Sequence, residues 1–466
     1  MSFEAGSFRD RAARIFYADG EILRTLSARG LEDWEALRST RFFTELVAGG
    51  ELVATEQVPG EAASTLPDAG AWAAVLRHQR IPFISYPYEW SAGMLRAAAL
   101  LQLDLLDRAL EEDFVLKDAS PYNVQWFGSR PVFIDVLSFC RWHAGDPWLG
   151  YRQFCELFLY PLMLEAYKGV PFQPWLRGSI DGIPPAQAAR LLCGRDLLRR
   201  GVFTHVFLHA RADARFRATN VSTRRELASA GFGKELIRAN VRRLRKVVRR
   251  LRATATDSVW VDYGQDNSYS PEDRAAKSEL VRLAVSERRW GMVWDLGANT
   301  GEFARLAAEH ADYVVALDAD RSVVDRLFEQ CRREGRKNLL PLVADLANPS
   351  PNQGWRGLER RDLVSRGAPD LMLALALIHH LVLGANIRLT DLLDWLAGLA
   401  PHLVIEFVRR EDPMVERLLR NKEDLYTDYD LGLFEAELGR RFRVLRRQEL
   451  PSGRRVLYFA QRLTTP

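Results

Sequence analysis

Three aspartates in the second half of the chain stand at or near the end of apolar runs. Asp295 lies within VWDLGANTG, where an apolar segment passes through a turn containing Gly297 and Gly301 into a helix-like segment. Asp318 ends the next apolar run, and Asp345 follows the one after it. A glycine turn that opens a helix offers backbone N–H groups to a ligand, and a carboxylate at the end of the next strand can bond ribose hydroxyls. These residues predict a nucleoside-containing ligand, with Asp345 placed to accept from an adenine amine.

The glycine turn excludes two other classes of nucleotide site. No G-x-x-x-x-G-K-[ST] occurs in the chain, so the turn is not a P-loop. The dinucleotide fingerprint is also incomplete, because its third glycine is missing.

The elements that must position these aspartates are apolar strands separated by helical segments, which is typical of a doubly wound α/β sheet. The predicted strands are residues 293–296, 313–317, 339–343, 370–377, 402–408, 442–448 and 456–462. The last two flank Pro451-Ser452-Gly453 and predict a closing hairpin.

The region from about residue 260 onward resembles class I S-adenosyl-L-methionine (SAM) dependent methyltransferases. The motifs that carry the resemblance are DLGANTG, Asp318, Asp345, the segment LALALIHH and the closing hairpin. The resemblance implies a Rossmann-like, seven-stranded doubly wound sheet with SAM as cofactor. It also implies that Asp295, Gly297, Asn299 and Gly301 bind the amino-acid end, Asp318 the ribose and Asp345 the adenine. The alternative is another doubly wound fold with acidic strand ends.

The acceptor side of this fold lies at the ends of strands four and five, where His379, His380 and Glu406 are the predicted catalytic residues. A histidine whose pKa is near neutrality is a suitable general base for a hydroxyl or a carbon acid. The alternative is that one or both histidines bond backbone or pack under the sheet. No [DNS]-P-P-[YFW] and no Pro-Cys at strand four occur, which argues against nucleobase amines and 5-methylpyrimidine chemistry. We therefore expect methyl transfer to an oxygen or carbon of a small-molecule or glycan-like acceptor.

The first half holds a second polar constellation, within VLKDASPYNVQWFGSRPVFIDVLSF. Asp118, Asn123 and Asp135 resemble the catalytic loop and metal-binding hairpin of protein-kinase-like and aminoglycoside-phosphotransferase-like enzymes, in which an Asp positions the acceptor hydroxyl and the Asn and second Asp bind metal. The match departs from that pattern, because Leu116 replaces the usual histidine and no lysine precedes residue 117. An arginine such as Arg24 would have to replace the phosphate-contacting lysine.

We therefore expect a kinase-like α+β domain without phosphoryl transfer and without a metal site. Two alternatives stay open for this half. One is an unrelated α+β domain in which Asp118 and Asn123 cap turns. The other is an active kinase, which would make the protein a bifunctional kinase-methyltransferase.

A strongly basic segment, IRANVRRLRKVVRRLR at residues 237–252, lies between the two halves. Its apolar residues fall on one stripe of a helix and its arginines fill the rest. A linker helix packed by that stripe is the preferred interpretation, because the net charge of the whole chain is only +4. Contact with nucleic acid is possible but not favoured. A SAM-fold module that binds RNA or a partner is the corresponding alternative function.

Length and composition set the domain plan and the class of protein. With 466 residues, 47% hydrophobic and 27% charged, the chain should form two or three globular domains, predicted at 1–180, 181–257 and 258–466. Its four scattered cysteines contain no C-x-x-C, so neither zinc nor disulfides are indicated. No signal peptide and no apolar run of membrane-spanning length is present, which predicts a cytoplasmic protein. The oligomeric state is not indicated.

Overall fold

The computed structural model describes residues 2–60, 72–218, 233–252, 269–423 and 425–463. The chain divides into two compact units. The first unit comprises Met1–Trp126, Pro131–Thr256 and Asn352–Arg360, and the second comprises Phe127–Arg130, Asp257–Pro351 and Arg361–Pro466. The described residues of the predicted connector, 181–257, belong to the first unit.

The first unit begins with a five-stranded antiparallel sheet in the order β1-β2-β3-β5-β4. Its strands are β1 Ser2–Phe3, β2 Ala13–Ala18, β3 Glu21–Leu26, β4 Thr55–Gln57 and β5 Ala74–His78. The turn between β2 and β3 is Asp19-Gly20, and both residues have positive φ, of 48° and 82°. Asp and Gly tolerate that conformation in tight hairpins, so the hairpin predicted from Asp-Gly is confirmed.

Helices form most of the rest of the first unit. They are α1 Ala28–Arg38, α2 Arg41–Gly49, α3 Ala92–Glu111, α4 Tyr151–Phe154, α5 Tyr160–Lys168, α6 Gln173–Gly178, α7 Pro185–Leu191, α8 His209–Ala218 and α9 Lys234–Val248. The predicted helix near 191–209 is instead interrupted: a 3₁₀ turn, Gly194–Leu198, and a π-helical turn, Phe203–Leu208, lie between α7 and α8.

The central helix α3 and the basic helix α9 pack against each other. The apolar stripe predicted for α9 is buried, including Val241 and Leu244. Arg238 donates to Asp107 at 2.9 Å, and Arg245 lies 2.6 Å from Asp104, so acidic residues of α3 neutralise part of the basic face.

Four short strands surround the constellation predicted in the first half. They are β6 Phe114–Leu116, β7 Val124–Phe127, β8 Arg130–Phe133 and β9 Phe139–Arg141. β6 pairs with β9, and β7 pairs with β8. Together with the antiparallel sheet and the helices, they make the first unit α+β, while its likeness to kinases stays a prediction.

The second unit is built on a seven-stranded mixed sheet in the order β12-β11-β10-β13-β14-β16-β15. Its strands are β10 Trp290–Leu296, β11 Ala311–Asp318, β12 Leu339–Val343, β13 Leu371–Ala374, β14 His402–Val408, β15 Phe442–Glu449 and β16 Arg455–Arg462. β10 to β14 are parallel, and β16 runs antiparallel between β14 and β15. The predicted parallel core and closing hairpin are thus confirmed.

Helices flank this sheet and bury its largely apolar strands, as a parallel sheet requires. They are α10 Pro271–Ser286, α11 Glu302–His310, α12 Arg321–Glu334, α13 Leu389–Leu399, α14 Pro413–Leu419 and α15 Leu431–Arg441. Ser270 caps α10 and Asp412 caps α14, each followed by a proline that opens the helix, as predicted. None of the helices in the described ranges is long and apolar enough to cross a membrane.

Candidate functional site

A cavity of 720 Å³ opens beside the carboxyl ends of the central parallel strands of the second unit. The chain passes from β10 outward to β11 and β12, then returns to β13 on the other side of β10. Such a change of direction leaves a crevice at the strand ends, which is where ligands bind in open α/β sheets. The residues lining the cavity include Tyr269, Lys277, Asp295, Gly297, Asn299, Asp318, Asp345, His379, His380 and Arg455.

The glycine turn between β10 and α11 is held in a conformation that glycine favours at two positions. Gly297 and Gly301 have φ of 76° and 77°, and a Cβ on Gly301 would approach the side chain of Leu327 to 2.5 Å. Asn299 also has a positive φ, 47°, and its N–H donates to Asp318 Oδ2 at 2.8 Å. The turn therefore links the ends of β10 and β11 at the wall of the cavity.

Asp295 is the most distinctive carboxylate of the cavity. Only 2% of it is exposed, and its Oδ2 has no hydrogen-bond partner in the described protein. Burial raises the pKa of Asp295 to about 7, with a further increase from Asp318 and an opposing effect of the nearby Lys277 charge. A buried, unpaired carboxylate oxygen is costly, so this position suits a cationic ligand group.

Asp318 and Asp345 line the same cavity. Asp318 ends β11, and its carboxylate accepts from the N–H groups of Asn299 and Asp320, each at 2.8 Å. Burial nevertheless raises the pKa of Asp318. Asp345 lies two residues after β12, is exposed, and accepts from the Ala347 N–H at 2.9 Å. The structure thus brings the three predicted aspartates together around one space.

The two histidines lie farther along the chain than predicted. β13 ends at Ala374 rather than at residue 377, so the predicted strand end is wrong, and His380 begins a π-helical turn. Between them, Ala376 takes a φ of 51° and its N–H donates to Glu406 Oε2 at 2.9 Å. The hydrogen bond to a buried carboxylate fits this unusual backbone, which turns the chain out of the sheet.

His379 and His380 line the cavity with their ring centroids 4.1 Å apart. His379 is 1% exposed, and its Nδ1 has no hydrogen-bond partner in the described protein. Burial and the charges of Arg455 and Lys277, together with His380, hold the pKa of His379 well below its usual value. Burial also lowers the pKa of His380 to about 4, so both rings are uncharged near neutral pH.

Glu406 does not line the cavity but anchors three residues that do. It lies inside β14, fully buried, and accepts from Tyr269 at 2.6 Å, Lys277 at 2.8 Å and Arg455 at 3.2 Å. Burial alone would raise its pKa, but the two cations and these hydrogen bonds lower it to about 2. The predicted catalytic role of Glu406 stays a prediction, and its contacts describe a residue that positions others.

The sequence did not identify Arg455 as part of this cluster. Its guanidinium donates to Asp412 at 2.8 Å and to the Tyr269 hydroxyl at 2.5 Å, and it lies 4.0 Å from the Tyr269 ring centroid. Asp412 was predicted only as a helix cap. A single arginine at the start of an apolar strand carries no sequence signal of its burial, because the partners come from four distant segments.

In the first unit, Asp118, Asn123 and Asp135 lie on the β6–β9 segment. Arg24 of β3 donates to Asp135 Oδ1 at 2.6 Å, and Ser138 donates to its Oδ2 at 2.6 Å. Asp118 accepts from the Ser120 N–H at 2.9 Å, which is a turn-capping contact. Among the described residues, no group of three or more His, Cys, Asp or Glu is arranged to hold a metal ion.

Comparisons with known proteins were made for the whole chain and for its structure. No protein-family model matches. The chain is 36% identical over 461 residues to nodulation protein NoeA of Rhizobium meliloti (strain 1021), an alignment that covers 98% of this chain and 96% of that protein.

Two solved methyltransferase structures are similar to part of the chain. N-methyltransferase NodS from Bradyrhizobium japonicum WM9, in complex with S-adenosyl-L-homocysteine, covers 45% of this chain and 94% of its own at 16% identity and a TM-score of 0.31. The bifunctional kinase-methyltransferase WbdD covers 45% of this chain and 43% of its own at 18% identity and a TM-score of 0.31. The class I fold of the second unit therefore rests on its strand order, and the full-length similarity shows that the chain belongs to the family of nodulation protein NoeA.

Proposed function

We propose that this protein is a SAM-dependent methyltransferase that acts on an oxygen or carbon of a small-molecule or glycan-like acceptor. The observation that carries the proposal is that one cavity, at the strand ends of a class I sheet, is lined by Asp295, Asp318 and Asp345. The buried, unpaired Oδ2 of Asp295 supports a site for a group with a positive charge.

The donor set fits the chemical groups of SAM. Asp295 would accept from the amino group of its amino-acid end, beside the backbone of Gly297 and Asn299. Asp318 would accept from the ribose hydroxyls, and Asp345 from the adenine amine. When bound, SAM supplies a methyl group on a sulfonium, which is an excellent leaving group.

The tasks left to the protein are then to orient the acceptor, exclude water and accept a proton. His379 suits the last task, because its Nδ1 is unpaired within the described protein and its ring is uncharged. His380 stays a second candidate. Glu406 would act by fixing Tyr269, Lys277 and Arg455 at the wall, since all of its printed partners are donors.

Isothermal titration of the full-length chain with SAM tests the proposal. Saturable binding to the parent and its loss in Asp318→Ala are expected. A matched control is Asp312→Ala, because Asp312 lies at the opposite end of the same strand, exposed, with a surface ion pair to Arg289 at 2.8 Å. Absence of SAM binding, or equal binding by the parent and both variants, would overturn the proposal.

A further inference from the structure

The first unit exposes apolar side chains beside the helical turns that precede α8. Leu198 is 91% exposed, Phe203 49% and Leu208 43%. Phe203 and Phe207 stack with ring centroids 5.8 Å apart on the π-helical turn. Single exposed apolar residues are ordinary, but several within one short segment mark an interaction surface.

Basic side chains border this apolar group. The guanidinium of Arg211 lies 4.6 Å from the Phe207 ring centroid. Helix α9 reaches the same segment, because a Cβ built on Gly201 would lie 3.1 Å from Val247. Arg243 and Arg250 stand one helical turn before and after Val247 (about 3.6 residues per turn), so both flank the contact near Phe203.

The acids nearest to this segment are already paired. Asp196 is buried and lies 2.5 Å from Lys168, and Asp213 lies 2.8 Å from Arg152. By contrast, the exposed Arg243, Lys246 and Arg250 make no ion pair with any residue in the described part of the chain. The segment therefore presents uncompensated positive charge around exposed apolar side chains.

We propose that this basic-apolar surface, formed by Leu198, Phe203, Leu208, Arg243, Lys246 and Arg250, docks the protein on an anionic lipid bilayer. Apolar side chains that enter the headgroup region, ringed by arginine and lysine, are the chemistry of peripheral membrane binding. A nucleic-acid surface needs the charges but gains nothing from exposed leucines, which have no ring to stack on bases. The proposal is independent of the cavity in the second unit.

Co-sedimentation with lipid vesicles tests this surface in the full-length protein. The probes are vesicles of phosphatidylcholine alone and of an equal mixture with phosphatidylglycerol. The charge variant is Arg243→Glu with Arg250→Glu, and its matched control is Arg326→Glu with Arg333→Glu, the same spacing on the exposed face of α12. The apolar variant is Phe203→Ser with Leu208→Ser, and its control is Leu283→Ser with Leu433→Ser, which are also exposed.

The parent should partition onto the anionic vesicles, and added salt should release it because salt screens the attraction. Each basic side chain near an anionic surface changes partitioning about fivefold, so the double reversal should lower it at least tenfold. The apolar variant should lower it severalfold, and both controls should behave as the parent.

Equal binding to both kinds of vesicle, or binding that salt leaves unchanged, would overturn the proposal using the parent protein alone. Salt-sensitive binding to single-stranded RNA without binding to vesicles would assign the surface to nucleic acid instead. A charge reversal that lowers partitioning no more than the α12 control would also overturn it.

Discussion

In the first unit, both oxygens of Asp135 have donors: Arg24 at Oδ1 and Ser138 at Oδ2. In the second unit, Asp295 is equally enclosed, yet its Oδ2 has no donor in the described protein. Both aspartates were singled out by their position near strand ends. The difference is that one carboxylate is satisfied by the protein itself and the other is left for a ligand.

The same contrast separates two carboxylates within the second unit. Glu406 is surrounded by Tyr269, Lys277 and Arg455, and its pKa is lowered to about 2. Burial raises the pKa of Asp295 to about 7 although Lys277 lies nearby. A carboxylate held by cations stabilises the fold, whereas a carboxylate kept without them is suited to bind one.

Glu406→Ala should have the largest effect on stability. It leaves Lys277 and Arg455 buried without their shared carboxylate, which should cost about 3–5 kcal/mol. Asp135→Ala should cost less, about 1–2 kcal/mol, since the carboxylate of Asp135 is 25% exposed. Chemical denaturation measures both, with Asp312→Ala as a surface control. Equal losses at the two sites would remove the distinction.

Acid should expose the same ion pairs without mutation. The pKa of Glu406 is about 2 in the folded protein and 4.5 ordinarily. Its contribution is therefore complete above pH 4.5 and is lost as the pH falls toward 2. Denaturation curves collected across that range should show a steeper loss of stability for the parent than for Glu406→Gln.

Asp295→Asn should have the next largest effect, on SAM affinity rather than on stability. The amide cannot pair with an ammonium group, so the affinity should fall about 10- to 100-fold. The thermal stability should hold or rise, because a buried carboxylate is replaced by a neutral group. Calorimetric titration and a melting curve check the two parts. An unchanged affinity would return Asp295 to a structural role.

How far the sequence predicted this site depends on whether the residues act within one segment. The glycine turn, Asp318 and Asp345 follow from strand-turn-helix patterns, and the structure gathers them at one cavity. Arg455 could not be predicted, because its partners lie on α10, β14 and α14. The histidines were predicted at a strand end because LALALIHH is continuously apolar, whereas the turn at Ala376 depends on Glu406, 30 residues away.

The pH dependence of SAM binding should give a smaller effect. Asp295 binds a proton below a pKa of about 7, and only its ionised form pairs with an ammonium group. The affinity should therefore rise with pH by up to about tenfold per unit, and level off near pH 7. Titrations from about pH 5.5 to 7.5 measure the slope. Asp295→Asn should flatten the curve, and a slope retained in that variant would assign the proton to another group.

The smallest expected effect is that of ATP with magnesium on the first unit, and it is a predicted absence of binding. Asp135 has its metal-facing oxygens occupied by Arg24 and Ser138, and no lysine precedes residue 117. Magnesium ATP should leave the melting temperature unchanged, while SAM raises it in the same assay through binding to the folded state. Arg24→Met sharpens the comparison by freeing Asp135. If ATP then binds only in Arg24→Met, the arginine is what closes the site. If the parent binds ATP in a magnesium-dependent way that Asp135→Asn abolishes, the bifunctional kinase-methyltransferase reading replaces ours, and the contrast between the two units becomes one of two ligands rather than one.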